Sequence, residues 1–212
     1  MDIILQQFFS FTSFIEALKK IERYRNQFYW KDYPKLKRYE SVADHSWRVS
    51  VLVLLVKDRL SQKMDLEKAL KMAIIHDIAE TVVGDSHPMG NDGTGKDTYY
   101  NNKDLAQKKY EKEKKGAEKL FSKLPEKEQN YCFNLWLEYE KRDCFESKVV
   151  KALDAIECAL QVLEYRKGHM FAEHLNFTIG YAKKYSNIDP FLSSFADTVV
   201  QELKKRYKEF KK

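Results

Sequence analysis

Four polar side chains, His45, His76, Asp77 and Asp154, interrupt stretches of this sequence in which apolar residues recur at helical spacing. A helix with this spacing buries its apolar face, so these side chains are directed towards the interior. A buried carboxylate without a partner is very costly, and it must pair with a cation, change its pKa or ligate a metal ion. Any fold of this chain has to satisfy that requirement for all four residues.

Capping signals and apolar spacing assign these residues to three predicted helices. The first begins at Ser41 and carries His45 on its apolar stripe. The second begins after Asp65, and its inward face continues past the His-Asp pair to Glu80. The third spans residues 147–166 and contains the last of the four in an almost entirely apolar setting.

The rest of the chain also favours helices. Seven Gly and four Pro in 212 residues leave few positions for tight turns, and no β alternation of any length is present. We therefore predict one all-α domain over residues 1–212, a helical bundle with the metal site in its core. The other predicted elements are a helix over residues 13–23 that begins with a capping box of Ser13 and Glu16, loops over 24–39 and 84–100, helices over 103–124 and 126–140, and two C-terminal helices within 169–212 that divide at Asp189 and Pro190.

Composition excludes several classes of protein. With 43% apolar and 14% aromatic residues the chain is too hydrophobic to be disordered, and a mean hydropathy of −0.62 excludes a membrane bundle. The net charge of +6 is mild, and glutamates interleave with the lysines, which argues against a nucleic-acid partner. Three cysteines without C-x-x-C spacing favour a reducing, cytoplasmic setting.

The four polar residues together match the preferences of a transition metal. A lone buried His or Asp is more often satisfied by a hydrogen bond, but two imidazoles and two carboxylates form a mixed N and O set suited to one first-row divalent ion. Water on such an ion is a nucleophile near neutral pH. The ligand types do not distinguish Co, Mn, Ni, Fe, Zn or Cu.

The order and context of these residues resemble a known family. The pattern H…HD…D is similar to that of the HD superfamily of metal-dependent phosphohydrolases. The strings E-S-V-A-D-H-S at residues 40–46 and H-D-I-A-E-T-V-V-G-D at residues 76–85 resemble the branch that contains the bacterial 5′-deoxynucleotidases and the eukaryotic HD-domain-containing protein 2. The likeness covers residues 40–166 and implies the all-helical HD-type fold.

The resemblance also implies roles for individual residues. The four polar residues would hold the metal, and Glu80 and Asp85 would serve catalysis. Glu80 is four residues from His76 and can reach a water on the ion, and the alternative is a hydrogen bond to a ligand. Asp85 follows a glycine and could instead be a turn or cap residue. Because the family uses an arginine and a tryptophan before the first His to contact the nucleotide, the candidate substrate-binding residues are Arg23, Arg25, Trp30 and Arg38.

These observations predict an enzyme that releases phosphate from nucleoside 5′-monophosphates, with deoxynucleotides as the expected small-molecule substrates. Hydrolysis of a phosphodiester, an alarmone or a nucleoside triphosphate remains an alternative on the same fold. So does a non-catalytic helical binding module that keeps the metal for stability. A homodimer, and a lid or plain loop over residues 86–100, are left open. His87, His169 and His174 lack ligand-spaced partners and are expected at the surface or in packing.

Overall fold

The computed structural model describes residues 2–24, 38–90, 94–164 and 171–210. Within these ranges the chain is helical, and its one pairing of extended backbone is an isolated bridge between Glu22 and Ser41. The prediction of an all-α fold is confirmed. The elements are α1 (Ile3–Ile15), a short 3-10 helix (Glu16–Lys19), α2 (Val42–Val56), α3 (Leu66–Ile75), α4 (Glu80–Val83), α5 (Lys103–Phe121), α6 (Glu126–Lys141), α7 (Phe145–Glu164), α8 (Ala172–Ser186) and α9 (Pro190–Phe210).

Local capping explains where the site-bearing helices begin. The Ser41 hydroxyl accepts a hydrogen bond from the backbone N–H of Asp44, and the Asp44 carboxylate accepts one in return from the Ser41 backbone, which forms a capping box for α2. Asp65 caps α3 by accepting from the backbone N–H of Lys68. Both predicted starts are confirmed, as is the division of the last two helices before Pro190.

The predicted start of the first helix at Ser13 is wrong. The helix begins at Ile3, where the Asp2 carboxylate caps it by accepting from the backbone N–H of Ile4 at 2.9 Å. Ser13 therefore lies inside α1, and the chain tightens into the 3-10 turn Glu16–Lys19. An effective cap upstream satisfies the first backbone N–H groups, so the helix has no need of the predicted capping box.

The second prediction to fail is a continuous helical face from Asp65 to Glu80. Helix α3 ends at Ile75, and a tight turn over residues 76–79 precedes α4. In this turn the Ile78 N–H donates to the carbonyl of Ile75 at 3.1 Å and the Glu80 N–H donates to that of Asp77 at 3.0 Å. These bonds to the third residue back tighten the backbone relative to an α-helix.

Helix α7 forms the centre of the bundle. Its buried face is apolar over most of its length and packs against α2, α3, α8 and α9. A second apolar cluster, around Phe121 and Trp136, joins α5 and α6 to the α3–α4 turn. There α4 and α5 approach closely, because a Cβ atom at Gly116 would lie 2.9 Å from the Val83 side chain. No helix in the described part of the chain is long and apolar enough to cross a membrane.

Candidate metal centre and catalytic cleft

The four predicted metal ligands meet where α2, α7 and the α3–α4 turn come together. The Nε2 atom of His45 lies 3.2 Å from Nε2 of His76, 3.2 Å from Oδ1 of Asp154 and 3.5 Å from Oδ2 of Asp77. Nε2 of His76 is 3.3 Å from the same Asp77 oxygen. Residues separated by more than one hundred positions in sequence thus bring ligand atoms of His45, His76 and Asp154 within 4.8 Å of one another, and an Asp77 oxygen lies beside both imidazoles.

Hydrogen bonds on the far side of each imidazole orient these atoms. Nδ1 of His76 lies 2.8 Å from the carbonyl oxygen of Ala73, which can only accept, so this nitrogen carries the proton. Nδ1 of His45 is hydrogen-bonded to the carboxylate of Glu157. With Nδ1 donating in both rings, the two Nε2 atoms are the nitrogens that a bound metal ion would use, beside two carboxylates, once they are free of protons. This donor set fits a divalent cation. Without positive charge nearby, its buried carboxylates would be costly.

The electrostatics of the cluster also favour a cation. Burial and Arg23 lower the pKa of His45, but the carboxylates of Glu157 and Asp154 outweigh them and raise this pKa to about 10. Burial raises the pKa of Asp154, but Lys151 and the two histidines bring it well below its ordinary value. The cluster therefore attracts positive charge strongly.

The predicted catalytic carboxylates line a cleft beside the four ligands. Glu80 is 6% exposed, and its Oε2 has no hydrogen-bond partner within the described ranges. Burial, with Asp77 and Asp85 nearby, raises the pKa of Glu80 well above its ordinary value. Burial also raises the pKa of Asp85 against the opposing effect of Arg23, whose Nε lies 4.0 Å away. Both carboxyl groups are thus set up to hold a proton more readily than free carboxylates do.

The cleft has a volume of about 270 Å³ and is strongly polar. Its walls come from the α3–α4 turn, the segment that follows α4, and helices α5 to α8. The ionisable and aromatic side chains that line it are Arg23, His76, Asp77, Glu80, Asp85, His87, Tyr99, Lys109, Tyr110, Glu113, Tyr139, Glu140, Arg142, Lys151, Asp154, Cys158, Tyr181 and Tyr185.

Two of the four predicted substrate-binding residues are described by the structure, and they lie in different places. Arg23 lines the cleft, whereas Arg25 and Trp30 fall outside the described residues. Arg38 lies in a separate, open groove of about 350 Å³, where its exposed guanidinium pairs with Asp44 beside Trp47. Of the two arginines that the structure describes, Arg23 therefore lies in the cleft beside the candidate ligands and Arg38 does not.

Of the histidines outside the proposed ligand set, the two that the structure describes lie in different environments. His87 lines the cleft, and burial lowers its pKa even though Asp85 opposes the effect. The expectation that it serves only the surface or packing misses this position, because nothing in the sequence marks which loop residue turns inward. His174 is buried in the core, and His169 lies outside the described ranges.

Several residues that build the site were missed by sequence reasoning. Glu157 orients His45, and Lys151 donates to the Asp154 carboxylate at 2.6 Å and to the Tyr181 hydroxyl at 2.8 Å. A usable signal existed for Glu157, which is three residues from Asp154 on the same apolar helix. No such signal existed for Arg142, which also lines the cleft, because it follows α6 in a polar segment.

Comparison with known proteins agrees with this geometry. The HD domain family matches residues 15–195, which is most of the chain. The chain belongs to the HD-domain family. The resemblance drawn from the sequence motifs is thereby confirmed, and all four candidate ligands, Glu80 and Asp85 lie within the matched range.

Curated relatives of this HD domain are named 5′-deoxynucleotidases. The protein named 5′-deoxynucleotidase HDDC2 of Xenopus laevis is 35% identical over 135 residues, which are 64% of this chain and 60% of the relative. The protein of the same name from Danio rerio is 32% identical over 171 residues, 79% of this chain and 72% of the relative. The human one is 32% identical over 133 residues, 63% of this chain and 58% of the relative. The chain thus spans about 60% of the length of the first of these relatives.

Solved structures share the fold of this HD domain. A structure described as a predicted metal-dependent phosphohydrolase from Magnetospirillum magnetotacticum MS-1 has a TM-score of 0.69 and 23% identity, and the match covers 97% of each chain. A conserved hypothetical protein from Pyrococcus furiosus has a TM-score of 0.61 and 26% identity, with 93% of this chain and 99% of the other covered. The first likeness supports the fold alone.

Proposed function

We propose that this HD domain is a metal-dependent phosphohydrolase that releases phosphate from nucleoside 5′-monophosphates, with deoxynucleotides as the preferred class. The observation that carries the proposal is Glu80, a buried carboxyl group with an unpartnered oxygen that lines the cleft beside four metal-ligand side chains. A site that held a metal only for stability would have no need of this group. The names of the curated relatives support the choice of substrate.

The metal would be held by His45, His76, Asp77 and Asp154, and one divalent transition ion fits their mixed N and O donors. When bound, such an ion supplies Lewis-acid chemistry that polarises a phosphoryl oxygen and lowers the pKa of a water.

Glu80 is proposed as the general base. A general base works best when its pKa is close to the working pH. A useful fraction of it is then deprotonated, and it still binds the proton of the water strongly. Burial and the neighbouring carboxylates raise the pKa of Glu80 in that direction. Its unpartnered Oε2 is free to accept the proton of the attacking water.

Asp85 is proposed as the acid that protonates the leaving 5′-oxygen. Burial raises the pKa of its carboxyl group, which keeps a proton available. Arg23 has its Nε 4.0 Å from Asp85 and lines the same cleft, so it can hold this carboxyl in place and offset the charge of the phosphate. The cleft is small, which suits a mononucleotide better than a polymer.

The deciding experiment measures phosphate release from nucleoside mono-, di- and triphosphates by the metal-loaded protein and by Glu80→Gln at matched metal content. We expect monophosphates to be the preferred substrates and the variant to be slower by about 10²-fold to 10⁴-fold. Glu118→Gln, an exposed glutamate on α5, is the matched control and should turn over like wild type. Equal rates for wild type and Glu80→Gln would remove Glu80 from the mechanism. An inactive metal-loaded wild type would favour the binding module.

A further inference from the structure

Arg142 occupies an unusual backbone position at the end of α6. Its φ of 57° and ψ of 30° lie in the left-handed region, where it forms the C-terminal cap of the helix. Glycine is the usual residue there, because side chains of L-amino acids are strained in this conformation. An arginine at this position costs stability that glycine would not, and such strain persists most often where a side chain has a task.

The side chain of Arg142 turns into the cleft wall. Its guanidinium carbon lies 3.5 Å from the centre of the Tyr139 ring, and that ring packs edge-on against the imidazole of His76 with 5.5 Å between ring centres. One aromatic ring thus separates the guanidinium from a candidate metal ligand. The stack fixes the plane of the guanidinium, and the side chain, 28% exposed, lines the cleft.

The charge of Arg142 is poorly matched by the protein. Its nearest carboxylate oxygen belongs to Glu140 and is 3.6 Å from Nη2, beyond hydrogen-bonding distance. Its Nη1 is buried and has no hydrogen-bond partner in the parts of the chain that the structure describes. A buried guanidinium donor without an acceptor is costly unless a ligand supplies one.

The other cations of the cleft are already paired. Nζ of Lys109 lies 2.5 Å from both oxygens of Glu113, and Nζ of Lys151 lies 2.6 Å from Asp154. Nη1 of Arg23 also lacks a hydrogen-bond partner in the described ranges, but it lies between two carboxylates, 3.3 Å from Glu40 and 3.7 Å from Glu157, so its charge is compensated. Its Nη2 donates to Sγ of Cys158 at 3.3 Å. Among the cleft cations in the described ranges, Arg142 therefore has the most donor capacity left for an anion.

We propose that Arg142 is a substrate-binding residue that donates hydrogen bonds to the phosphoryl group held at the four-ligand site. The inference rests on the proposed function for the identity of the substrate, but the chemistry it requires is only that of a phosphate. A guanidinium edge can donate two parallel hydrogen bonds to two phosphate oxygens, which a lysine cannot reproduce. The unpartnered Nη1 and the strained backbone are both accounted for by this contact.

The test measures binding of inorganic phosphate to the metal-loaded protein by calorimetry, together with the urea midpoint of unfolding, for wild type and Arg142→Gly. We expect phosphate affinity to fall by about 10-fold to 100-fold, the usual worth of hydrogen bonds to a charged group. We expect the unfolding midpoint to stay or rise, because glycine relieves the left-handed strain. Arg142→Lys should recover only part of the affinity. Arg206→Ala, which removes a half-buried arginine on α9 that pairs with Glu202, is the control for loss of a positive charge.

Phosphate affinity and the unfolding midpoint together distinguish a phosphate-binding Arg142 from a purely structural one. A purely structural arginine would give a lower midpoint in Arg142→Gly with phosphate affinity unchanged, and that result would overturn the proposal. So would a wild-type protein that does not bind phosphate, or a variant whose nucleotide KM rises while phosphate affinity stays the same. If phosphate binding depends on Arg142 but no nucleotide is hydrolysed, the proposed function fails and this inference stands. Arg142→Asn, which tolerates the same backbone conformation, repeats the test if the glycine variant does not fold.

Discussion

Two clusters of buried charge lie side by side between α2 and α7, and His45 belongs to both. On one side, its Nε2 faces His76, Asp77 and Asp154, and the atoms that meet there are imidazole nitrogens and carboxylate oxygens, which bind cations. On the other side, its Nδ1 is bonded to Glu157. Beyond that carboxylate, cations and anions alternate.

The second cluster is neutralised by the protein itself. Glu157 accepts from Nε of Arg48 at 2.6 Å, and Arg48 reaches on to Glu40, Gln161 and Glu164. Arg23 adds a second guanidinium to the same carboxylates. Three acidic or imidazole groups here, Glu40, His45 and Glu157, also lie close enough to hold a metal, but arginines already supply the positive charge.

The difference shows how geometry alone can mislead about metals. Both clusters bring ligand atoms together in the interior, and buried charges require compensation in each. Two arginines provide it around Glu157, whereas in the described part of the chain Lys151 is the one lysine or arginine paired with a member of the other cluster, Asp154. An ion is therefore expected at the cluster with less positive charge from the protein. Three predictions test this distinction, and a fourth concerns a buried histidine outside both clusters.

The largest effect is expected from breaking the self-neutralised cluster. Glu157→Ala leaves two guanidinium groups and the His45 N–H without their acceptor, and should lower the free energy of unfolding by about 3–5 kcal/mol. Urea unfolding in the presence of a chelator measures this without any contribution from metal. Glu164→Ala is the matched control, because Glu164 pairs with the same Arg48 but is exposed, and its removal should cost about 0–1 kcal/mol. Similar losses in both variants would contradict the comparison.

The next effect is stabilisation by the ion. A divalent transition ion at 100 times its dissociation constant should raise the free energy of unfolding of wild type by about 2.7 kcal/mol. Asp77→Asn replaces one carboxylate ligand with an amide and should lose this gain. The measurement is unfolding with and without the ion for each protein, together with metal content after dialysis. An equal gain in both proteins would place the ion elsewhere.

A smaller effect links the two clusters through His45. Glu157→Gln keeps an acceptor for the His45 N–H but removes the charge that makes the imidazole a better ligand, so metal affinity should fall by about 10-fold to 100-fold. Competition with a chelating dye gives the affinity. Glu164→Gln is the control, since this exposed carboxylate pairs with the same Arg48. A larger loss in the control would reverse the assignment of Glu157.

The smallest effect concerns His174, a buried group outside both clusters. Burial lowers its pKa to about 3, so it is neutral in the folded protein. The unfolded chain takes up a proton below its usual pKa of about 6.5, and the contribution of His174 to stability is therefore complete above that pH and declines below it, with a slope that approaches about 1.4 kcal/mol per pH unit. His174→Leu should flatten the pH dependence of unfolding between pH values of about 6.5 and 5. An unchanged slope would show that His174 does not titrate in this way.

Local sequence was sufficient for most of the helices. The capping residues Ser41 and Asp65 begin α2 and α3 as predicted, and apolar spacing located α7 around Asp154. These signals involve residues within one or two turns of each other, and neighbouring groups decide them. The same reasoning failed at Ser13, where an upstream cap at Asp2 had already started the helix.

The sequence also predicted which residues need a cation, because a polar side chain on an apolar helical face requires compensation wherever that face is buried. The roles assigned to these residues, and the single domain over residues 1–212, stay predictions. Only the tertiary structure decided how each charge is compensated: His45 meets Glu157 across 112 positions, Arg142 turns into the cleft, and Arg38 lies in another groove. Contacts at such separations leave no local pattern, since they depend on which helix faces pack together and not on which residues are neighbours in the chain.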